Sequence, residues 1–325
     1  MPFGRCRALV ATCAVIAVTA ACGSSNDAVA APDDRLTIVA TTTVLGDIVG
    51  NVAGNAAAVE VLMPPGADPH GFEASPQQAA LLREADLVVA NGLGLEETLT
   101  TVLDAAEVDG AHILTVADKV DPIPFGYGDH EAEGAGGRES GEDPEHGSDD
   151  PHFWMDPVRV GEAVDLLADE FMQMDDATDW AAHGEAYAAD LQDVHSEITG
   201  LVAQIPKSQR KLVTNHEALG YFVDRYGFEQ VGAVIPGGTT LAEPGSAELA
   251  ELAATIRREG VPAIFAESTQ PDQLAQAVAA EVGIDIAVVE LFTDSLGDGP
   301  EGATYVDMMR TNAQRISDAL TGGSS

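Results

Sequence analysis

Apolar and polar positions along this chain switch repeatedly between a strand-like and a helix-like rhythm. Leu36–Ala40, Val59–Met63, Leu87–Ala90 and Ile113–Val116 are short stretches rich in aliphatic and β-branched residues, and they predict strands. Helical spacing lies between them, around Leu45–Val52, Gln77–Arg83 and Glu96–Leu103. Ser75-Pro76 has the form of an N-cap followed by proline at the first helical position. After residue 205 the alternation restarts. Lys211–Thr214, Val231–Ile235, Ala263–Ala266 and Ile286–Leu291 predict strands, and Glu217–Arg225, Ser246–Arg258, Gln273–Val282 and Tyr305–Leu320 predict helices. Strands that alternate with helices imply parallel pairing. The second half thus repeats the first in pattern, though not in sequence.

Two helices with no strand between them separate the halves. Pro157–Met172 opens on Asp156-Pro157, a second cap-and-proline start. Thr178–Gln204 carries Trp180, Tyr187, Leu191, Val194, Ile198 and Leu201 at helical spacing, and Pro206 ends it. Its 27 residues would measure about 40 Å, more than one small domain needs, so it predicts a rigid strut. His183 and His195 lie on it and read as ordinary surface residues. The expected architecture is α/β: two βα domains with parallel four-stranded sheets joined by a long rigid linker helix. The N-terminal domain would span 35–177, the linker 178–204 and the C-terminal domain 205–325. Open sheets of this kind bind ligands beyond the carboxyl ends of their strands, here in a cleft between the domains.

The chain start changes where such a molecule would work. Arg5 and Arg7 precede an apolar stretch over 8–21, the pattern of a secretory signal too short to span a membrane comfortably. Thr19-Ala20-Ala21-Cys22 resembles the lipobox of bacterial lipoproteins, apart from Thr19 where leucine is usual, and 22–34 has the composition of a tether. The expectation is an exported protein, periplasmic or on the outer face of the cytoplasmic membrane, lipid-anchored through Cys22. Cys6, Cys13 and Cys22 are the only cysteines, so any metal site in the folded body must use nitrogen and oxygen ligands. The net charge is −39, or −41 once the two arginines of 1–21 are removed. Nucleic-acid binding, which needs a basic footprint, is excluded. An acidic surface gathers cations, though solubility alone also accounts for it. The stretch 125–150 is rich in Gly, Asp and Glu, contains His130 and His146, and reads as an acidic surface loop with equal claim to weak metal capture and to plain solvation.

The tripeptide Asp-Pro-His occurs twice, as Asp68-Pro69-His70 and Asp150-Pro151-His152. Proline fixes its own φ and holds its predecessor extended, so each histidine is mounted on a stiff loop. His70 follows the second predicted strand and His152 the acidic loop. His216 follows Lys211–Thr214, where Thr214 and Glu217 have capping-box spacing, and Asp294 follows Ile286–Leu291. Taken singly, each is more often a structural residue. Together they would form an N₃O site with two ligands from each domain, a set that suits zinc, whereas manganese takes more oxygen.

These motifs carry a resemblance. Gly66-Ala67-Asp68-Pro69-His70 with Glu73 and Ser75-Pro76, then Asp150-Pro151-His152-Phe153-Trp154-Met155-Asp156-Pro157, are two of them. Asn215-His216-Glu217-Ala218 with Gly220-Tyr221-Phe222, Phe265-Ala266-Glu267-Ser268, Thr293-Asp294-Ser295-Leu296, and Tyr305 to Met309 with Asn312 complete the set. Over about 35–321 the chain resembles the zinc- and manganese-binding solute receptors of bacterial ABC importers, the long-helix-linked (cluster A-I) group. The resemblance implies His70, His152, His216 and Asp294 as metal ligands, Zn²⁺ as the transported ligand, and a membrane permease as partner. A metallochaperone is a further partner to expect, and the protein would be a monomer. Manganese members commonly carry Glu at the third ligand position, and His216 there favours zinc. Glu267 reads equally as an outer-shell carboxylate holding an imidazole and as a cap or buried hydrogen-bonded acid; Glu73 and Glu217 carry no assignment.

Two other readings compete: the same scaffold carrying Mn²⁺ or Fe²⁺, and a secreted zinc hydrolase. Against the hydrolase, Gly220 occupies the last position of a His-Glu-x-x-His motif starting at His216, and no Gly-x-Ser-x-Gly elbow is present. An adhesin role, ascribed to some relatives, has no support in these residues. The expected protein is not an enzyme.

Overall fold

A computed structural model of the chain describes residues 35–126 and 149–322. The expected signal, Cys22 and tether fall outside them, as does most of the acidic loop with His130 and His146. The first half contains β1 (Leu36–Ala40), α1 (Thr43–Ala53), β2 (Ala57–Val61), α2 (Pro76–Glu84), β3 (Leu87–Ala90), α3 (Thr100–Val108) and β4 (Ile113–Thr115). Next come α4 (Pro157–Met174) and α5 (Trp180–Val202). The second half contains β5 (Lys211–Thr214), α6 (Gly220–Tyr226), β6 (Glu229–Ala233), α7 (Ser246–Glu259), β7 (Ala263–Glu267), α8 (Gln273–Val282), β8 (Ala287–Leu291) and α9 (Tyr305–Thr321).

Each half folds around a four-stranded parallel sheet, ordered β2-β1-β3-β4 and β6-β5-β7-β8. The two orders match strand for strand, and in each the chain direction across the sheet reverses at the first strand. The carboxyl ends of the central strands therefore border a crevice in both halves. Parallel strands are covered on both faces and read as continuous apolar runs. All four residues of β3 are buried, as are all five of β7, including the carboxylate of its last residue, Glu267.

One hydrophobic core runs through both halves. It joins Ile38 and Val89 of the first sheet to Leu191 and Ile198 of α5, and these to Phe222, Phe265 and Met308 of the second half. The outer face of each sheet has its own smaller cluster, with Val39, Leu82 and Val88 in the first and Val213, Ile256 and Ile264 in the second. The strut helix is therefore embedded, with α4, α9 and α1 packed along it.

Several sequence expectations shift for identifiable reasons. The strut has 23 residues, about 35 Å, because Asp179 caps it by accepting from the Ala182 amide at 3.2 Å and it ends at Val202. His183 and His195 are half-buried, not plain surface residues: His183 Nδ1 meets the Val52 carbonyl at 3.0 Å and His195 Nδ1 the Tyr226 hydroxyl at 3.1 Å. They fasten the strut to one half and the other. The helix expected at Glu96 starts at Thr100, because the Glu96 carboxylate takes the Thr41 hydroxyl and the Asn91 and Gly92 amides and holds its segment as a turn. Thr214 and Glu217 form no capping box. Thr214 ends β5 and accepts from Gln230 at 3.2 Å, while α6 starts at Gly220.

Candidate metal centre

The four predicted residues converge. His70 lies on the loop after β2, and His152 precedes a single 3₁₀ turn over Phe153–Met155 that leads into α4. His216 lies two residues beyond β5 and Asp294 three beyond β8. One ligand atom from each lies within 4.8 Å of all the others, and all four side chains are buried.

Local turns aim the imidazoles. Asp150 Oδ1 accepts both the His152 amide at 2.9 Å and His152 Nδ1 at 2.7 Å. Glu267 Oε1 does the same for His216, accepting its amide at 3.2 Å and its Nδ1 in a short contact. His70 Nδ1 lies 3.3 Å from Glu97 Oε1. For His152 and His216 a carboxylate accepts from Nδ1, which turns Nε2 inward as the metal-facing atom. His152 and His216 bring their Nε2 atoms to 3.2 Å, and Asp294 lies 3.8 Å from the first and 3.6 Å from the second.

This arrangement is costly without a cation. Among the described residues, both ring nitrogens of His70 and both carboxylate oxygens of Asp294 are buried with no hydrogen-bond partner. Four ligands about 2.0–2.1 Å from a tetrahedral ion sit about 3.3 Å apart, close to the 3.2, 3.6 and 3.8 Å separations among His152, His216 and Asp294. The residues therefore fit a four-coordinate ion.

Charge follows the same geometry. Burial alone would lower His216, but the carboxylates of Glu267 and Asp294 outweigh it and raise the imidazole to about 9. Burial lowers His152 well below the ordinary imidazole value, and it raises Asp294. Burial also raises Asp150 to about 7.

The surrounding bonds tie the two halves together at this point. Trp154 Nε1 donates to the Thr293 carbonyl at 2.8 Å, and the Tyr305 hydroxyl donates to the Trp154 carbonyl at 2.7 Å. The Ser295 hydroxyl accepts from the Gly66 amide at 2.8 Å and lies 3.1 Å from the Thr43 hydroxyl.

The profile of the family described as zinc-uptake complex component A, periplasmic (ZnuA), matches residues 38–319. The chain belongs to this family. It is 31% identical over 312 residues to the manganese-binding lipoprotein MntA of Halalkalibacterium halodurans, covering 94% of this chain and 96% of that one. It is 30% identical over 322 residues to the zinc-binding protein TroA of Treponema pallidum, covering 97% of each. The solved structure of the periplasmic zinc-binding protein TroA from Treponema pallidum matches the fold with a TM-score of 0.76 at 28% identity, over 88% of this chain and 99% of that one. The ZnuA family consists of metal-binding receptors of ABC importers, not enzymes. Among the described residues, no helix is long and apolar enough to cross a membrane.

Three residues around the site were not singled out by sequence reasoning. Asp150 carries a signal in the Asp-Pro-His repeat, because an Asp two residues before a His is placed to accept that His amide. The same holds for Asp68, whose Oδ1 accepts the His70 amide at 3.0 Å. Glu97 reaches His70 only through the fold and has no local signal. Glu267, read from sequence either as a carboxylate holding an imidazole or as a cap or buried hydrogen-bonded acid, is the His216 partner.

Proposed function

We propose that this chain is the extracytoplasmic receptor of an ABC-type metal importer that captures one Zn²⁺ on His70, His152, His216 and Asp294 and delivers it to a membrane permease. The observation that carries the reading is that one ring nitrogen from each of three buried imidazoles and an oxygen of one unpartnered buried carboxylate all lie within 4.8 Å of one another. Nitrogen-rich four-coordinate sites suit zinc, and manganese favours more oxygen and a larger shell. Zinc-named and manganese-named relatives are almost equally similar, so the donor set is what selects between the metals. The receptor acts as a monomer, held at the membrane by a lipid on Cys22.

The test is elemental analysis of the mature protein, stripped and then offered equimolar Zn²⁺ and Mn²⁺, beside His216→Ala and His216→Glu variants. The expected result is one zinc per chain, loss of tight binding in His216→Ala, and a relative gain in manganese in His216→Glu. Manganese retained in preference to zinc by the unaltered chain would move the cargo to manganese. No stoichiometric metal would overturn the site. Anchoring is tested separately, since Cys22→Ala should move the protein from the membrane fraction to the soluble one.

A further inference from the structure

The duplicated Asp-Pro-His unit performs one duty twice and a second duty differently. In both copies the aspartate Oδ1 accepts the amide of its own histidine, at 3.0 Å for Asp68 and 2.9 Å for Asp150. In the second copy that oxygen also takes the imidazole Nδ1. In the first copy His70 Nδ1 faces Glu97, and Asp68 reaches the other way. Its Oδ2 accepts from Thr240 Oγ1 at 2.6 Å and from Gln270 Nε2 at 2.6 Å. Thr240 lies on the loop after β6 and Gln270 on the loop after β7, both in the opposite half.

This contact contributes nothing to aiming the His70 ring. It ties the loop that carries His70 to the half that carries His216 and Asp294. Bonds to a charged carboxylate are the stronger kind, so the tie has weight. The two sides of the site differ. On the Ser295 side Ser295 is 1% exposed, but its partner Gly66 is exposed and Thr43 half-buried, and the bond to Gly66 is made by a neutral hydroxyl. Asp68 and Gln270 are half-buried at the edge, where water competes for the same oxygens. An ion held by side chains that are at most 2% exposed can leave only if the loops over it part. The Asp68 link joins the His70 loop to two separate loops of the opposite half through one carboxylate oxygen.

We propose that Asp68 is a positioning residue that sets how fast the site releases its ion, by latching the His70 loop to Thr240 and Gln270. The proposal rests on the reading of His70, His152, His216 and Asp294 as the metal site. It predicts a kinetic signature, because a latch that forms over a bound ion slows departure more than arrival.

The experiment measures zinc transfer from the loaded full chain to a chromophoric chelator by stopped flow. The variant is Thr240→Val combined with Gln270→Leu, which removes both donors and leaves Asp68, its turn and the four candidate ligands unchanged. Dissociation should be faster by about tenfold or more, with association within about twofold of the unaltered chain. Thr240→Ser keeps a hydroxyl and should restore the slow rate. Thr240→Val alone should move the rate in the same direction and serves if the double variant does not fold. A merely structural contact would lower the melting temperature of the metal-free protein and leave dissociation unchanged. Equal dissociation rates in a variant that still binds one zinc would overturn the latch alone. An unaltered chain that binds no stoichiometric zinc would overturn the site reading, and the latch with it.

Discussion

At the scale of single residues, the site is governed by which atom carries a proton. His216 is raised to about 9 even though burial opposes it, because Glu267 and Asp294 favour its charged form. At neutral pH a metal must therefore displace a proton from this imidazole. Affinity should rise with pH between about 7 and 9, by up to about tenfold per unit, and level off above the raised value. Calorimetry at pH 7 in two buffers of different ionisation enthalpy should show about one proton released per ion. Unperturbed imidazoles near 6.5 would instead confine the loss of affinity to acid. Glu267→Gln keeps an acceptor for Nδ1 and removes the charge. It should weaken zinc about 10- to 100-fold and flatten the pH dependence, which a purely packing role for Glu267 would leave steep. The four converging residues were legible in sequence because each follows a strand end or a proline-stiffened turn. Glu97 was not, since its approach to His70 exists only once the turn before α3 and the loop after β2 are packed.

At the scale of elements, one side chain joins two helices. Asp156 caps α4 by accepting from the Val158 amide at 3.0 Å, and its Oδ2 accepts from Arg225 of α6 at 2.8 and 2.6 Å. Asp156 is 1% exposed, so these bonds are sheltered. Asp156→Ala should cost about 3 kcal/mol, combining a lost cap of about 1 with lost charge-assisted bonds of about 2. Asp156→Asn keeps the capping oxygen and should cost about half as much. Urea unfolding measures both, and equal losses would show that the cap adds nothing. This start was legible because cap and proline are adjacent in sequence, as at Ser75-Pro76. Thr214 and Glu217 have the same local spacing without forming a cap, because β5 continues through Thr214 and pairs with β6 and β7. Helix starts are readable where neighbours in sequence decide them, and misread where a sheet or a distant carboxylate does.

At the scale of the whole molecule, the strut decides how the receptor can move. A sequence pattern of two sheets and a long helix suggests a rod between separate bodies. The packed molecule differs in that Leu191, Val194 and Ile198 of α5 are buried in a core shared with both halves. A wide opening would expose Phe222, Phe265 and Met308 to water, each worth about 1.5–3 kcal/mol of burial. Zinc binding at a hundredfold excess over Kd supplies only about 2.7 kcal/mol of differential stabilisation. That is too little to keep such a core closed in the loaded form if it stood open in the free form. Release should therefore proceed by loop movements and shifts of about 1–2 Å between packed helices. A compact chain of this length has a radius of gyration of about 19 Å. Solution scattering of free and zinc-loaded protein should give values within about 1 Å of each other. A difference of several ångströms would mean that the shared core parts, and that the strut acts as a hinge.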